Sequence, residues 1–367
     1  MKILHIITSL DTGGAEKLMV DLLPRLQENE VEAELAIFDG TRTPFYEDLE
    51  KRGVKVIPLS NNSVSSPLHI IRLMRLLPKY DIVHSHNGWC QLYVAIASIF
   101  CKATLCTTEH SNTNHRRRWK WYKQIDRWMY VRYKKIICIS DAVKANLHKE
   151  VGVKEDKLKV VYNGIDVGRY ANATPIEEYL KYNKNKKLVV MVAGFRKMKD
   201  QDTLIKVMAL LPESYELWLA GDGERRAEIE SLVASLNLEN RVKLLGVRTD
   251  LPSILKTADV VVMSSHSEGF GLAAVEGMAA GRPVIASNVP GLAEIVAGAG
   301  LLFEHADPQS LKKLIEEVCS DKEYYERVAD KCQERAWQYD ISSMVKSYIT
   351  VYKEITNSKY EKISDKT

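Results

Sequence analysis

The chain has 367 residues with a formal net charge of +4, and 46% of its residues are hydrophobic and 27% charged. This length exceeds what one ordinary hydrophobic core fills and predicts two domains of roughly 150 to 200 residues each. The modest charge gives no reason to expect a nucleic-acid partner. The longest apolar stretch is about half of the ~20 residues that a membrane-spanning helix needs. The six cysteines lack C-x-x-C spacing, which is typical of reduced thiols in a cytoplasmic protein.

In the first half of the chain, short apolar runs alternate with amphipathic helical patterns, which predicts a parallel sheet with crossover helices. The first run turns polar at Thr8, too early for the apolar core of a signal peptide, so it is predicted to be a strand. The predicted strands are residues 2–8, 34–38, 55–58, 82–85, 104–108, 135–139 and 159–162.

The pattern weakens after residues 163–166, and the stretch 170–187 is polar and rich in lysine, which indicates a linker. The alternation resumes with predicted strands at residues 188–193, 216–220, 242–245, 260–263, 283–286 and 300–303. We therefore predict an α/β protein with two Rossmann-like domains, an N-terminal one over residues 1–169 and a C-terminal one over residues 170–337. A helix at about residues 338–357 has an apolar face that we expect to pack back on the first domain.

A polar, glycine-containing loop is predicted between a buried strand and an alanine-rich helix that begins near Leu272. The free N–H groups and the dipole of such a helix N-terminus attract an anion, and Gly269 and Gly271 let a ligand approach the backbone. Glu268 precedes this anion site and Glu276 follows it, up to ~12 Å away along the chain. That span fits a nucleotide sugar. Two glutamates on solvated surfaces are the alternative interpretation.

Gly13 and Gly14 separate the first predicted strand from the helix that follows it. Because the crevice of an open α/β sheet lies at the carboxyl ends of its strands, the pair predicts a second anion cradle, with an ordinary tight turn as the alternative. The spacing is not the G-x-G-x-x-G of dinucleotide dehydrogenases, which argues against a nicotinamide oxidoreductase.

Arg196 and Lys199 follow the first strand of the second half, where they could neutralise a diphosphate, with a solvated basic loop as the alternative. Asp200 and Asp202 spell the D-x-D with which many sugar transferases hold a metal. We instead predict that Asp200 caps a helix beginning near Gln201 and that Asp202 lies in its first turn. A metal would then be redundant for binding phosphate, and we expect no metal or other cofactor.

His110 follows the predicted strand 104–108 and is expected at the same edge of the first sheet. A neutral imidazole that donates a hydrogen bond to a sugar hydroxyl is the functional interpretation, and a buried structural histidine is the alternative. His84 and His86 compete for the same role. On one strand end, these two do not make a metal site by themselves.

The segment 115–135 interleaves basic residues with tryptophans, and Trp121, Ile125, Trp128 and Met129 recur at helical spacing. Such a helix suits an anionic membrane surface. A helix that packs its aromatic side chains inward remains an equal alternative. Nucleic acid is a weaker interpretation, because the fold pattern matches no nucleic-acid module.

Taken together, the chain resembles the GT-B glycosyltransferases of family 4 over nearly its full length. The motifs occur in the family's order: Thr12-Gly13-Gly14-Ala15-Glu16, Val161-Tyr162-Asn163-Gly164-Ile165-Asp166, the E-x7-E of Glu268 and Glu276, and Arg282-Pro283-Val284-Ile285-Ala286. The resemblance implies two Rossmann-like domains that face each other across a cleft. It also implies retaining, metal-independent transfer from a nucleotide-diphosphate sugar.

Residue by residue, the resemblance implies that Arg196 and Lys199 bind the donor diphosphate. Glu268 would hold the transferred sugar, and Glu276 the ribose hydroxyls. Here Phe195 precedes the arginine, whereas many members carry the arginine directly after the glycine. The role of Arg196 therefore rests on a shifted motif.

His110 would contact the sugar near the reacting carbon, and the resemblance places it in the catalytic set with Glu268, Lys199 and Arg196. The remaining donor-binding residues that it implies form the phosphate cradles: Gly13, Gly14, Gly269, Phe270, Gly271 and Leu272.

The resemblance further implies a donor of the UDP-sugar type and a glycan or lipid-linked acceptor, in the synthesis of a cell-surface polysaccharide. A nucleotide-sugar epimerase on the same fold and a non-catalytic nucleotide-sugar binder are the alternatives. We expect a cytoplasmic protein, peripheral at the cytoplasmic membrane face if the segment 115–135 binds anionic lipid.

Overall fold

The computed structural model describes residues 1–11, 13–61, 63–86, 88–112 and 119–364, without the side chains of Lys120 and of residues 358–364. The described chain divides into two compact units. The first comprises Met1–Gly164 together with the segment that starts at Ile341, and the second comprises Ile165–Asp340.

The first unit is built on a parallel sheet. Its strands are β1 (Lys2–Ile7), β2 (Glu32–Asp39), β3 (Val56–Ser60), β4 (Ile82–His86), β5 (Leu105–Glu109), β6 (Lys135–Cys138) and β7 (Leu158–Val160). They lie in the order β3-β2-β1-β4-β5-β6-β7. The helices between them are α1 (Gly14–Glu28), α2 (Pro44–Lys51), α3 (Leu68–Leu76), α4 (Gly88–Ala97), α5 (Lys120–Arg132) and α6 (Asp141–Val151).

The second unit repeats this architecture with its own parallel sheet. Its strands are β8 (Lys187–Val192), β9 (Tyr215–Ala220), β10 (Val242–Gly246), β11 (Val260–Met263), β12 (Val284–Ser287) and β13 (Leu301–Phe303). They lie in the order β10-β9-β8-β11-β12-β13. Its helices are α7 (Val167–Ala171), α8 (Glu177–Tyr182), α9 (Gln201–Leu210), α10 (Arg226–Ser235), α11 (Leu251–Thr257), α12 (Leu272–Ala279), α13 (Leu292–Val296), α14 (Pro308–Ser320) and α15 (Lys322–Trp337).

The central strands of both sheets are almost continuously apolar and buried, as is typical of strands that helices cover on both faces. The prediction of two Rossmann-like domains is confirmed, and each predicted strand is present with ends that differ by two residues at most. The stretch 170–187 differs from its prediction as a linker. It contains helix α8 and the end of α7, and Tyr170 is buried.

The last helix, α16 (Ile341–Ser364), belongs to the first unit, which confirms the predicted return of the C-terminal helix. Seven of its side chains are buried in the core beside β1 and α1: Ile341, Met344, Val345, Tyr348, Val351, Tyr352 and Ile355. The helix starts very close to Gly164, where an added Cβ atom would lie 2.7 Å from Cα of Ile341. Only glycine fits this contact unless the backbone moves. No helix in the described parts of the chain is both long and apolar enough to cross a membrane.

A column of buried histidines lies where α16 meets the sheet. Nδ1 of His84 lies 2.6 Å from the hydroxyl of Tyr352, and Nδ1 of His5 lies 3.0 Å from Nε2 of His86. Burial lowers the pKa of His5 from 6.5 to about 3 and lowers the pKa values of His84 and His86 well below 6.5. The three imidazoles are therefore neutral at neutral pH, and each contributes one donor and one acceptor.

These lowered pKa values predict that the first unit loses stability in mild acid. Between pH 6.5 and 5 the unfolded chain binds protons that the folded protein does not, so the free energy of unfolding falls as the pH falls. Each of the three histidines contributes up to ~1.4 kcal/mol per pH unit. Urea denaturation at a series of pH values measures this slope.

His84→Gln is expected to reduce the slope by about one proton, because the side chain no longer titrates. The prediction would be contradicted if the wild-type slope over this pH range corresponded to fewer than one proton bound on unfolding.

Candidate functional site

In each sheet the strand order reverses at one point, and such a point opens a crevice because the loops on either side leave in opposite directions. In the second unit this point lies between β8 and β11, and in the first between β1 and β4. The loop after β8 contains Arg196 and Lys199, and the loop after β11 contains Glu268. Three of the predicted donor-binding residues of the second unit, Arg196, Lys199 and Glu268, therefore lie on the two loops that border its crevice.

Lys199 and Glu268 form an ion pair between these two loops. Nζ of Lys199 lies 2.5 Å from Oε2 of Glu268, and their side chains are 25% and 17% exposed. The hydroxyl of Ser265 lies 3.4 Å from the same carboxylate oxygen. Arg196 is exposed on the same loop as Lys199. The crevice thus brings together a cation and a carboxylate that are 69 residues apart in the chain.

Other contacts fix the two loops to each other. Ser264 is fully buried, and its hydroxyl lies 2.7 Å from the carbonyl of Asp200 and 3.3 Å from that of Lys199. The backbone N–H of His266 donates to the carbonyl of Met198 at 2.8 Å. Sequence reasoning missed Ser264, whose signal was a small polar residue directly after a buried strand.

The two aspartates of the D-x-D motif stabilise the loop after β8 and the start of α9. Asp200 caps α9, accepting from the backbone N–H of Thr203 at 3.3 Å and from its hydroxyl at 2.7 Å, which confirms the predicted cap. Asp202 lies in the first turn and forms a bidentate pair with Arg225 at 2.6 and 3.0 Å. This guanidinium lowers the pKa of Asp202. Both carboxylates therefore have partners within the protein.

The loop from Glu268 to α12 depends on glycines. Gly271 precedes α12 with φ of 93°, and it offers no side chain to cap the N–H groups of the first turn, which begins at Leu272. Gly291 lies in the loop after β12 and has φ of 88°. It packs against the backbone of Glu268, where an added Cβ would lie 2.2 Å from the carbonyl oxygen of Glu268. Gly269 and Phe270 lie between Glu268 and Gly271. The Phe270 ring packs edge-on against Tyr339, with centroids 5.4 Å apart.

Glu276 lies on α12 in a different environment from Glu268. It is only 4% exposed, and the hydroxyl of Tyr170 donates to its Oε1 at 2.8 Å. The two glutamates therefore have different partners, one a lysine and the other a tyrosine. Sequence reasoning missed Tyr170 because it lies in the stretch predicted to be a linker.

The predicted residues of the first unit lie at the carboxyl edge of its sheet. Gly13 has an extended backbone and precedes α1, which begins at Gly14, and the carboxyl of Glu16 occupies the space beside Gly13. His110 follows β5, and its Nε2 lies 3.0 Å from Nδ1 of His86. Burial lowers the pKa of His110 to about 4, so its imidazole is neutral at neutral pH.

Two groups of side chains have the composition of a metal site. His5, His84 and His86 stack with ring planes within 24° of each other and centroids 4.4 to 5.2 Å apart. A metal lies near the plane of each ligating ring, and nearly parallel planes do not converge on one point. The stacked geometry therefore fits hydrogen bonds.

The second group contains Asp200, His266 and His305. The nearest ring nitrogens of the two histidines are 2.6 Å apart, whereas two nitrogens bound to one zinc ion are separated by roughly 3.3 Å. Asp200 also uses both carboxylate oxygens for the cap of α9. The present positions of these side chains again fit hydrogen bonds.

Helix α5 covers most of the segment predicted to bind a membrane, while residues 115–118 of that segment lie outside the described residues. Trp121 and Trp128 are 60% and 37% exposed, whereas Met129 is buried. The interpretation in which the aromatic side chains pack inward is therefore wrong for these two tryptophans. The guanidinium of Arg132 lies 4.6 Å from the ring centroid of Trp128.

Comparisons with known proteins agree with this architecture. Residues 12–169 match the family model Glycosyltransferase Family 4, and residues 174–335 match the model Glycosyl transferases group 1. An uncharacterized glycosyltransferase of Methanocaldococcus jannaschii is 29% identical over 294 residues, which is 75% of each chain.

Two further relatives have named ligands or substrates. The Escherichia coli UDP-Gal:alpha-D-GlcNAc-diphosphoundecaprenol alpha-1,3-galactosyltransferase is 27% identical over 344 residues, covering 88% of this chain and 89% of that protein. HepE of Anabaena, solved in complex with UDP-glucose, has a TM-score of 0.87 and 25% identity, covering 96% of this chain and 100% of that one.

The two family models together account for most of the chain, the first spanning strands β2 to β7 and the second strands β8 to β13. The motif order, the paired sheets and the returning C-terminal helix agree with them. The chain thus belongs to family 4 of the glycosyltransferases and is an enzyme with the GT-B fold.

Proposed function

We propose that this enzyme transfers a sugar from a UDP-sugar to a hydroxyl of a glycan or lipid-linked acceptor during synthesis of a cell-surface polysaccharide. The observation that carries the proposal is the Lys199–Glu268 pair at the point where β8 and β11 diverge. This pair supplies a cation for a diphosphate and a carboxylate for sugar hydroxyls. The side-chain-free N-terminus of α12 follows three residues later in the chain.

Two relatives support the choice of donor and acceptor. The name of the Escherichia coli enzyme specifies a UDP-sugar donor and a diphosphoundecaprenol-linked acceptor, and HepE was solved with UDP-glucose. We extend the UDP-sugar donor and the lipid-linked acceptor to this chain as part of the proposal.

The ion pair suggests how the donor enters. In the free protein Glu268 neutralises Lys199 at 2.5 Å. A diphosphate carries more negative charge than one carboxylate, so it competes for the ammonium group of Lys199. Glu268 is then released from the lysine and can accept hydrogen bonds from the sugar. Arg196, exposed on the same loop, adds a second cation for the diphosphate.

The family resemblance supports reaction with retention and without a metal. The bond between the anomeric carbon and the diphosphate oxygen breaks while the acceptor oxygen attacks on the same face. The proton of the acceptor hydroxyl passes to the leaving diphosphate. Lys199 and Arg196 would stabilise the charge that develops there. Glu268 then orients the sugar and is not a nucleophile.

The other predicted contacts remain predictions. Glu276, beside Tyr170, is assigned to the ribose hydroxyls, and the backbone from Gly269 to Leu272 to the phosphates. In the first unit, Gly13 and Gly14 are assigned to the phosphates and His110 to the sugar near its reacting carbon. These assignments rest on the family resemblance.

We further propose that α5 places the enzyme on an anionic membrane surface at the cytoplasmic face. Exposed Trp121 and Trp128 support this, because tryptophans favour the headgroup region of a bilayer. Exposed Arg127 and Arg132 lie on the same helix, and the sequence adds three consecutive arginines at residues 116–118. Such positive charge is complementary to anionic lipid.

Under the proposed function, release of UDP from a UDP-sugar is expected to depend on an acceptor. Screening of UDP-sugars for thermal stabilisation selects the donor, since bound ligand raises stability. Incubation with and without a lipid-linked glycan then measures transfer. Conversion of the donor to its epimer without acceptor would identify an epimerase. Binding with no turnover in either mixture would identify a non-catalytic binder.

For the diphosphate site, Lys199→Ala is expected to weaken UDP binding at least tenfold, because it removes a charge-assisted contact. Lys197→Ala is the matched control, since it removes the same charge from an exposed neighbour in the same turn. Calorimetry should give an affinity within about twofold of wild type for this control. Glu276→Ala should also weaken binding. Unchanged affinity in both Lys199→Ala and Glu276→Ala would place the site elsewhere.

Glu268→Gln separates binding from turnover in the same assay. The variant loses the carboxylate that competes for Lys199, so UDP should bind as tightly as to wild type or more tightly. Turnover should fall by about 10²–10³-fold if Glu268 contributes as one lost donor or acceptor of a preorganised site typically does. A fall in UDP affinity with unchanged turnover would contradict both assigned roles.

For the membrane surface, the wild-type protein is expected to float with anionic liposomes and to remain unbound with neutral ones. The double variant Trp121→Ala/Trp128→Ala should lose most of this recruitment. Trp337→Ala removes a comparably exposed tryptophan from the second unit and serves as the control. Absence of recruitment of the wild-type protein would remove this part of the proposal.

A further inference from the structure

His110 is one end of a continuous chain of hydrogen-bonding groups that crosses the core of the first unit. The other six members are completely buried, and the chain ends on α16. Its links are His110 Nε2–His86 Nδ1 (3.0 Å), His86 Nε2–His5 Nδ1 (3.0 Å), His5 Nε2–Tyr352 OH (3.3 Å), Tyr352 OH–His84 Nδ1 (2.6 Å), His84 Nε2–Thr108 Oγ1 (2.8 Å) and Thr108 Oγ1–Tyr348 OH (3.2 Å).

The protons along this chain are coupled. A neutral imidazole has one N–H and one bare nitrogen, and each hydroxyl has one proton. Each link is a hydrogen bond and needs a single proton between its two atoms. If one member donates toward His110, its neighbour must therefore also donate toward His110. The chain therefore has two fully ordered arrangements, one with all protons directed toward His110 and one with all directed away from it.

The end on α16 distinguishes the two arrangements. Among the described residues, the Tyr348 hydroxyl has one hydrogen-bond partner, Thr108. If the protons ran away from His110, Tyr348 would accept from Thr108 and its own buried proton would have no acceptor. An unsatisfied buried donor is costly, whereas the opposite direction satisfies every proton. The favoured direction thus runs from Tyr348 through Thr108 to His84 and onward.

In this direction His86 donates its Nδ1 proton to Nε2 of His110. The proton of His110 must then be on Nδ1. We propose that the buried hydroxyl of Tyr352 is a positioning group that holds His110 in this Nδ1–H tautomer, because it joins the two halves of the chain. His110 then offers a hydrogen-bond donor and no bare nitrogen that could act as a general base. The choice of a sugar oxygen as its acceptor rests on the proposed function.

The tautomer can be measured in the free protein by NMR with ¹⁵N-labelled histidine, since protonated and bare ring nitrogens resonate far apart. His110→Gln identifies the His110 signals among the nine histidines. In the wild type, we expect Nδ1 of His110 to carry the proton. Nε2 as the protonated nitrogen would overturn the proposal, whatever the variants show.

Tyr352→Phe and Tyr348→Phe provide a matched pair, because both remove one fully buried hydroxyl from the same helix one turn apart. Without the Tyr352 hydroxyl, Nε2 of His5 lacks a partner in either arrangement of the protons. The free-energy difference between the two arrangements should therefore become smaller. A second form of His110 should then reach at least about a tenth of the signal. Without the Tyr348 hydroxyl, Thr108 still donates to His84, and His110 should remain a single Nδ1–H form.

Identical His110 spectra in the two variants would show that Tyr352 has only a packing role and would overturn the proposal. If Tyr352→Phe does not fold, the wild-type spectrum still decides the tautomer. The spectra need no nucleotide sugar, so their failure would leave the proposed function intact. Conversely, absence of acceptor-dependent transfer would remove the proposed function and leave the tautomer result standing.

Discussion

The reversal of strand order in each parallel sheet is the constraint on which both sites depend. At this point two adjacent strands send their loops in opposite directions, and their carboxyl ends border one crevice. In the second unit the constraint brings Lys199 and Glu268 into contact. The hydroxyl of Ser264 joins the two loops by hydrogen bonds, and Gly291 packs closely against the backbone of Glu268. In the first unit the same constraint aligns His5 of β1 with His84 of β4.

Helix α16 is joined to the first unit by hydrogen bonds to the buried network as well as by apolar packing. Apolar side chains of α16 supply the burial, and two tyrosine hydroxyls, from Tyr348 and Tyr352, satisfy polar groups of the sheet. Such groups are tolerated in a core only when they are neutral and hydrogen-bonded. The same burial that favours neutrality lowers the pKa of His5 to about 3. The stability of the first unit and the protonation state of His110, a candidate site residue, therefore depend on one network.

The elements that could be predicted from the sequence are those with local signals. Strands, the cap by Asp200 and the glutamates at positions 268 and 276 each have a pattern within ten residues. The contacts that complete the sites join segments far apart in the chain, such as Tyr170 with Glu276 and His84 with Tyr352. The spacing of His84 and His86 places them on one face of a strand, but strand register, which no local pattern reveals, brings in His5.

The candidate site residues of the two units differ in charge, because His110 of the first unit is neutral and Lys199 of the second is a cation. The proposed chemistry gives a reason for this difference. Glycosyl transfer passes through a state with oxocarbenium-like character, in which positive charge develops on the sugar ring. A cation beside that ring would oppose this charge, whereas a neutral N–H can still orient a sugar oxygen. Burial lowers the pKa of His110 to about 4 and so favours the neutral donor. In the proposed reaction Lys199 acts as a cation for the leaving diphosphate, and its side chain is partly exposed and paired with a carboxylate. The proposed roles thus assign a neutral group to the sugar and a charged group to the leaving diphosphate.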